Sequence, residues 1–405
     1  MSHAATPCLP AVAPAPRRMS RTAALWLNAS ILVTYLAAST APSPLYALYR
    51  EAWGFSALTL TLVFSTYAFA LLAALLFTGA LSDHLGRRQV VLVALALEIA
   101  SILVFRHADS VAWLFVARAA QGVATGIATS ALSAGMLDVD RERGSLLNSV
   151  SPLFGMGSGA LVAGALAQFA PEPMRLVFDV LLAILAVQTV AAFFLPETVA
   201  KRPGALASMK PQLAVPQRAW PTLWKVLPVN TAQWALGGFY ASLGPSLARV
   251  VTGVHSPLLG GGAVAALVLS GAVAILALRA RPARAVLAGG TAALVIGLSV
   301  TLAGVQLHST VAFFAGTVIA GLGFGAAFNG TLRTLVPLAE AHERAGLMST
   351  FFALSYLAFS LPAIAAGLFA GHFGLQAASI GYGLLLVALG CVALALMERG
   401  KTGAE

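Results

Sequence analysis

Twelve apolar runs separated by short polar breaks organise this chain. They cover 22–48, 57–80, 89–106, 111–136, 146–169, 176–195, 222–249, 257–279, 284–306, 310–335, 347–371 and 376–396. A helix needs roughly 20 apolar residues to cross a bilayer, and every run is close to that length. Polar residues inside them recur at helical spacing, as with Arg118, Gln121, Thr125 and Thr129 in the fourth run. The pattern predicts an all-α polytopic membrane protein with twelve transmembrane helices.

The runs also repeat. At an offset of 201, Pro44 falls on Pro245, Gly122 on Gly323, and Glu142-Arg143 on Glu343-Arg344. This predicts two pseudo-symmetric six-helix bundles, residues 21–196 and 222–397, a parallel repeat found among transporters. Residues 197–221, rich in Pro, Lys and Arg, read as a cytoplasmic linker. Residues 1–20 and 398–405 read as cytoplasmic tails, the first disordered. The Pro-rich start lacks the apolar core of a signal peptide, and Met19 offers an alternative start.

Composition strengthens this reading. The chain has 405 residues, of which 59% are hydrophobic and only 9% charged. Soluble chains average about 25% charged, so most of this one must have lipid as its solvent. The net charge of +10 follows topology and gives no reason to expect nucleic-acid binding. With the amino terminus inside, 19 of the 24 Lys and Arg fall on the cytoplasmic side and 4 outside, leaving Arg118 within a span. That asymmetry predicts both termini in the cytoplasm. Cys8 and Cys391 are placed too differently to pair, and no metal site is expected.

Between the second and third runs lies Gly79-Ala80-Leu81-Ser82-Asp83-His84-Leu85-Gly86-Arg87-Arg88. It resembles the loop between helices 2 and 3 of the major facilitator superfamily, roughly Gly-x-Leu-x-Asp-x-x-Gly-Arg-Arg/Lys. Arg118-x-x-Gln121-Gly122 and Pro196-Glu197-Thr198 resemble two further family signatures. The resemblance covers nearly the whole chain and is nearest to bacterial drug and metabolite exporters. It implies the major facilitator fold, a monomer in the bacterial inner membrane, and alternating access to a site between the bundles. It also implies that Gly79, Asp83, Gly86, Arg87 and Arg88 form a conformational latch, with Asp83 meeting the other half in one state.

Glu98 and Arg118 are ionisable groups inside apolar spans, where charge is costly and usually functional. Each lies ten residues from the hairpin bend near residue 108, hence at a common depth of about 10–15 Å. They are expected to form a buried ion pair if they face each other, either as a proton-coupling site or as a static lock. Substrate-cavity candidates are Tyr35, Arg118, Gln121, Thr125, Asn230, Gln233, Trp234, Phe324, Phe328 and Tyr356, with Phe324 and Phe328 read as an aromatic pair. Asp179 reads as an interfacial carboxylate. The span-5 run Gly155-Met156-Gly157-Ser158-Gly159 lacks the Gly-Pro pair of many drug/proton antiporters, and span 1 carries no acid.

These features point to a secondary active transporter, with proton-coupled efflux of small amphipathic molecules as the first expectation. The alternative is a proton symporter or facilitator importing a small metabolite such as an organic acid, with Arg118 as carboxylate partner. A non-transporting membrane sensor would need flux to be absent. No Ser/His pair, zinc-ligand helix or Gly-x-x-x-x-Gly-Lys-Ser/Thr loop appears, so neither an enzyme nor a cofactor is expected.

Overall fold

The structure, a computed structural model, describes residues 19–340 and 342–402. The expected tail at 1–18, with Cys8, Arg17 and Arg18, lies outside these residues. The first bundle contains α1 (Arg21–Thr40), α2 (Pro42–Trp53), α3 (Ala57–Thr78), the short α4 (Leu81–Leu85), α5 (Arg87–Arg106), α6 (Val111–Val139), α7 (Arg141–Phe169) and α8 (Pro173–Ala192). The second contains α9 (Trp220–Ser242), α10 (Gly244–Thr252), α11 (Pro257–Ala277), α12 (Ala283–Gln306), α13 (Thr310–Leu335), α14 (Arg344–Phe373) and α15 (Leu375–Thr402).

Local sequence starts and stops these helices. Ser20, Ser56, Ser256 and Ser309 turn their hydroxyls onto free amides at the starts of α1, α3, α11 and α13, and Asp140 does so for α7. The first and seventh runs are each broken. The first run bends at Ala41 and continues as α2, and the seventh passes through Leu243 into α10. Prolines follow both breaks and enter the new segments at their first turns, where a missing N–H costs nothing. Gly54 and Gly253, both left-handed, end the two segments. α15 runs to Thr402, past its expected end at 396.

Among the described residues, eleven helical stretches are long and apolar enough to cross a membrane. The twelfth crossing is α9, which falls short because it carries Lys225, Pro228, Asn230 and Gln233. Its apolar deficit is covered by protein, since most of it from Val229 to Ser242 is buried. Twelve crossings return the chain to the face on which it began, here called the terminal face.

Small residues bring the helices together. In α12, Gly290, Gly297 and Gly304 recur every seventh residue, and in α13 so do Gly316, Gly323 and Gly330. A methyl group on Gly297 would strike the backbone of Ala320, and one on Gly323 the backbone of Leu294. This is backbone-to-backbone packing, which bilayer helices use in place of a hydrophobic driving force. Between the bundles, α3 lies against α14 and α7 against α11. α7 contains Pro152, three residues ahead of its glycine run.

Candidate functional site

Apart from Ser65 Oγ, which donates to the Ser360 carbonyl at 3.5 Å near mid-depth, the polar contacts between the bundles lie toward the face opposite the termini. Ser43 Oγ donates to the Ala241 carbonyl at 2.7 Å, Arg249 pairs with Glu51 at 2.6 Å, and Ser256 Oγ donates to Gln168 Oε1 at 2.5 Å. Among the described residues, no hydrogen bond or ion pair joins the 79–88 loop to the second bundle.

That loop instead closes on its own bundle and on the start of the linker, where the Arg202 N–H donates to the His84 carbonyl at 3.0 Å. Asp83, about half exposed, pairs with Arg87 at 2.5 Å, one turn on. Arg87 also reaches Asp138 at 3.2 Å and Ser82 Oγ at 2.5 Å. The Glu197 carboxylate accepts the backbone N–H groups of Arg87 at 2.7 Å and Arg88 at 3.3 Å, a negative charge at the positive end of α5. Gly86, at φ 96°, holds a backbone conformation that other residues adopt only with strain, and its missing Cβ leaves room for that carboxylate. Gly79 has ordinary helical backbone.

At mid-depth, Glu98, Arg118 and Gln121 are fully buried. The expected direct pair of Glu98 and Arg118 is not formed, because Gln121 stands between them. It accepts from Arg118 Nη1 at 2.8 Å and donates to Glu98 Oε1 at 3.2 Å. This orientation points the amide's negative end at the cation and its positive end at the carboxylate. Arg118 donates further to Tyr46 OH, through Nε at 2.8 Å and Nη2 at 2.5 Å, and to the Ser39 carbonyl at 2.7 Å. The rings of Tyr46, Tyr67 and Phe105 lie 5.4–5.6 Å from its guanidinium carbon. The chain of contacts thus runs from α5 through α6 to both sides of the α1–α2 break. Glu98 Oε2 and Tyr35 OH have no partner, although both are buried. Thr125, also buried, bonds its own helix at Gln121 O.

The second bundle contributes an aromatic box. Trp234 meets Phe328 at 6.1 Å, Phe352 at 6.4 Å, Tyr356 at 5.0 Å and Phe359 at 5.8 Å between ring centres, all edge-on. Asn230 donates to Ser355 Oγ at 3.0 Å, Gln233 donates to Asn230 Oδ1 at 3.2 Å, and Gln233 Oε1 is left unpaired. The expected Phe324–Phe328 pair does not form. Phe328 turns to Trp234, while Phe324 packs over Gly237, where the missing side chain leaves room.

Asp179 pairs with Arg106, close to the outer end of its helix. Sequence reasoning did not single out Tyr46, Asp138 or Ser355. Tyr46 could have been suspected from the prolines that re-aim the chain just before it, and Asp138 from being an acid at the end of an apolar run. Ser355 carried no signal of its own.

Residues 27–283, more than half of the chain, match the Major Facilitator Superfamily. The chain belongs to that superfamily. This places it among membrane transporters and agrees with its twelve-helix fold. Solved structures of the superfamily fold superpose along nearly its whole length. A bacterial homolog of the human lysosomal transporter Spinster, inward-facing and unoccupied, is similar with a TM-score of 0.75 at 15% identity, covering 93% of this chain and 97% of that one. A mutant of the peptide transporter POT in complex with alafosfalin gives 0.73 at 18% identity, covering 95% and 96%. The human organic anion transporter MFSD10 (TETRAN) gives 0.66 at 19% identity, covering 93% and 100%. No curated protein matches the chain in sequence.

Proposed function

We propose that this superfamily member is a proton-coupled exporter of small amphipathic molecules that works by alternating access. The observation that carries this reading is the buried chain Glu98–Gln121–Arg118–Tyr46, tied to the backbone of α1 at Ser39. When Glu98 holds a proton, Gln121 and Arg118 stay committed to α1 and α2. When it is ionised, it draws the guanidinium toward itself and frees the break at Ala41. A proton thereby biases a two-state equilibrium through differential contacts. The solute is expected against Trp234 and its neighbouring rings, with Asn230 and Gln233 supplying polar contacts.

In the structure described here the polar ties Ser43–Ala241, Glu51–Arg249 and Gln168–Ser256 join the bundles at the face opposite the termini. In the opposite state Asp83, now half exposed, meets the second bundle, and the 79–88 loop acts as the latch. The charge asymmetry supports both termini in the cytoplasm, and the family resemblance is the support for a bacterial inner-membrane location and a monomer. The importer reading, in which Arg118 holds a substrate carboxylate, is weaker. Four of the five guanidinium N–H groups are already engaged, and rings flank the cation.

Proteoliposomes holding wild type or Glu98→Gln test the reading, with amphipathic and organic-acid solutes. An imposed proton gradient should drive wild-type flux, whereas the variant should only exchange solute across the membrane. An equal response of both proteins to the gradient would remove Glu98 from coupling.

A further inference from the structure

The repeat makes the two bundles comparable at the terminal face, and there they differ in charge balance. In the first bundle the amino end of α5 receives the Glu197 carboxylate. In the second bundle the matching helix is α12, which starts behind Pro282 with no side chain capping it. At the 201 offset the residue matching Glu197 is Glu398. It lies on the continuing helix α15, exposed, and in no ion pair among the described residues.

Around the start of α12 cations outnumber acids: α12 packs antiparallel to α15, with Gly383 against Leu302 and Gly390 against Val295, which brings the single Glu398 level with its first turns beside four arginines. Arg279, Arg281 and Arg284 are exposed. Arg333, at the end of α13, donates Nη2 to the Arg281 carbonyl at 2.8 Å, which fixes it beside the loop. Its Nη1 is buried and has no partner. None of the four arginines takes part in any ion pair among the described residues. Arg284 also sits in the first turn of α12, where the helix dipole disfavours a positive charge. An anion here would relieve the mutual repulsion, take up the free amides of the helix end, and give Arg333 Nη1 an acceptor.

We infer that this cluster binds the phosphate headgroup of an anionic phospholipid. The cluster lies where α11 leaves and α12 re-enters the apolar zone, the depth at which headgroups are found. One and two turns back from the loop, Leu276 and Val273 are strongly exposed and offer an apolar surface for an acyl chain. A soluble anion would have no use for that surface. The bound phosphate stands in the second bundle where the Glu197 carboxylate stands in the first.

Native mass spectrometry of the full-length protein, released from detergent and titrated with phosphatidylglycerol or phosphatidylcholine, tests this. Phosphatidylglycerol should remain bound and phosphatidylcholine should not. Each arginine removed should weaken binding about fivefold, so R281Q/R284Q should lose about 25-fold. R141Q/R143Q removes equal charge from the other bundle's terminal face and should change binding far less. Circular dichroism of each variant checks that the helices are intact. Equal losses in the two double variants would reduce the effect to diffuse surface charge and overturn the site. Equal retention of both lipids would also overturn it. Displacement of the lipid by millimolar inorganic phosphate would assign the cluster to a soluble anion instead.

Discussion

The hairpins α5–α6 and α12–α13 occupy the same place in the two halves of the repeat and are held together differently. α12 and α13 meet backbone to backbone along two rows of glycine. Within them the only ionisable side chains are Arg284 and Arg333, near the ends at the terminal face. α5 and α6 are instead joined through side chains, by Ser101 Oγ to the Ala117 carbonyl at 3.0 Å and by Glu98 through Gln121. A glycine contact has essentially one close-packed arrangement, whereas a chain of polar side chains can exchange partners without separating the helices. The second hairpin is therefore built as a rigid support and the first as the part that responds. The aromatic box belongs to the second half, so binding and coupling fall to different bundles.

The largest effect should come from attacking the glycine rows. Gly297→Leu forces α12 away from the Ala320 backbone and should cost about 3 kcal/mol or more, read as a lower melting temperature or loss of monodisperse protein. Ala96→Leu, on an outward-facing position of α5, should stay within about 0.5 kcal/mol. Equal damage at both positions would dissolve the distinction between the hairpins.

A smaller effect should separate binding from coupling. Trp234→Ala removes a ring packed against four others and should raise the KM of an aromatic or amphipathic solute about tenfold. Its response to a proton gradient should be unchanged. Glu98→Gln should show the reverse, with KM retained and gradient response lost. If Trp234→Ala also abolished the gradient response, the division of labour between the bundles would be wrong.

The smallest effect concerns the terminal face. Glu343 is held below the usual carboxylate range, first by the Glu340 backbone N–H and then by Arg218, which also binds Glu340. A folded-state value below the unfolded one stabilises the protein above the unfolded value, and that stability is lost as pH falls through the folded one. The difference in melting temperature between wild type and Glu343→Gln should therefore be small at neutral pH and should close below about pH 4. A difference that widened on acidification would reverse the assignment.

Much of this arrangement was legible in the sequence, because bilayer length and charge asymmetry act on each span separately. The depth shared by Glu98 and Arg118 also followed from counting residues back from a tight bend. Whether the two would touch depended on the rotation of α5 and α6 about their axes and on a third side chain, Gln121. No local pattern fixes those. The breaks at Ala41 and Leu243 were marked by prolines, but an apolar run continues through each of them, and hydropathy alone reads a single crossing. The latch loop was recognisable by its residues, but its partner in this state, Glu197, lies 110 positions along the chain from Arg87.

The polarity of α9 has a consequence for how the protein is made. A segment bearing Lys225, Asn230 and Gln233 gains little by entering lipid alone. Earlier elements touch it only in part, through Ser43 and the Phe64–Tyr67–Leu71 cluster, whereas the partners of Trp234 and Asn230, namely Phe328, Phe352, Ser355, Tyr356 and Phe359, come later in the chain. During synthesis α9 must therefore wait, at the insertion machinery or beside the finished first bundle, until α14 has emerged. Truncation after α13 should leave it accessible to water-soluble thiol reagents through a cysteine placed at Gln233, whereas extension through α14 should protect it. The helix expected to hold the solute is thus among the last to be sealed into the membrane.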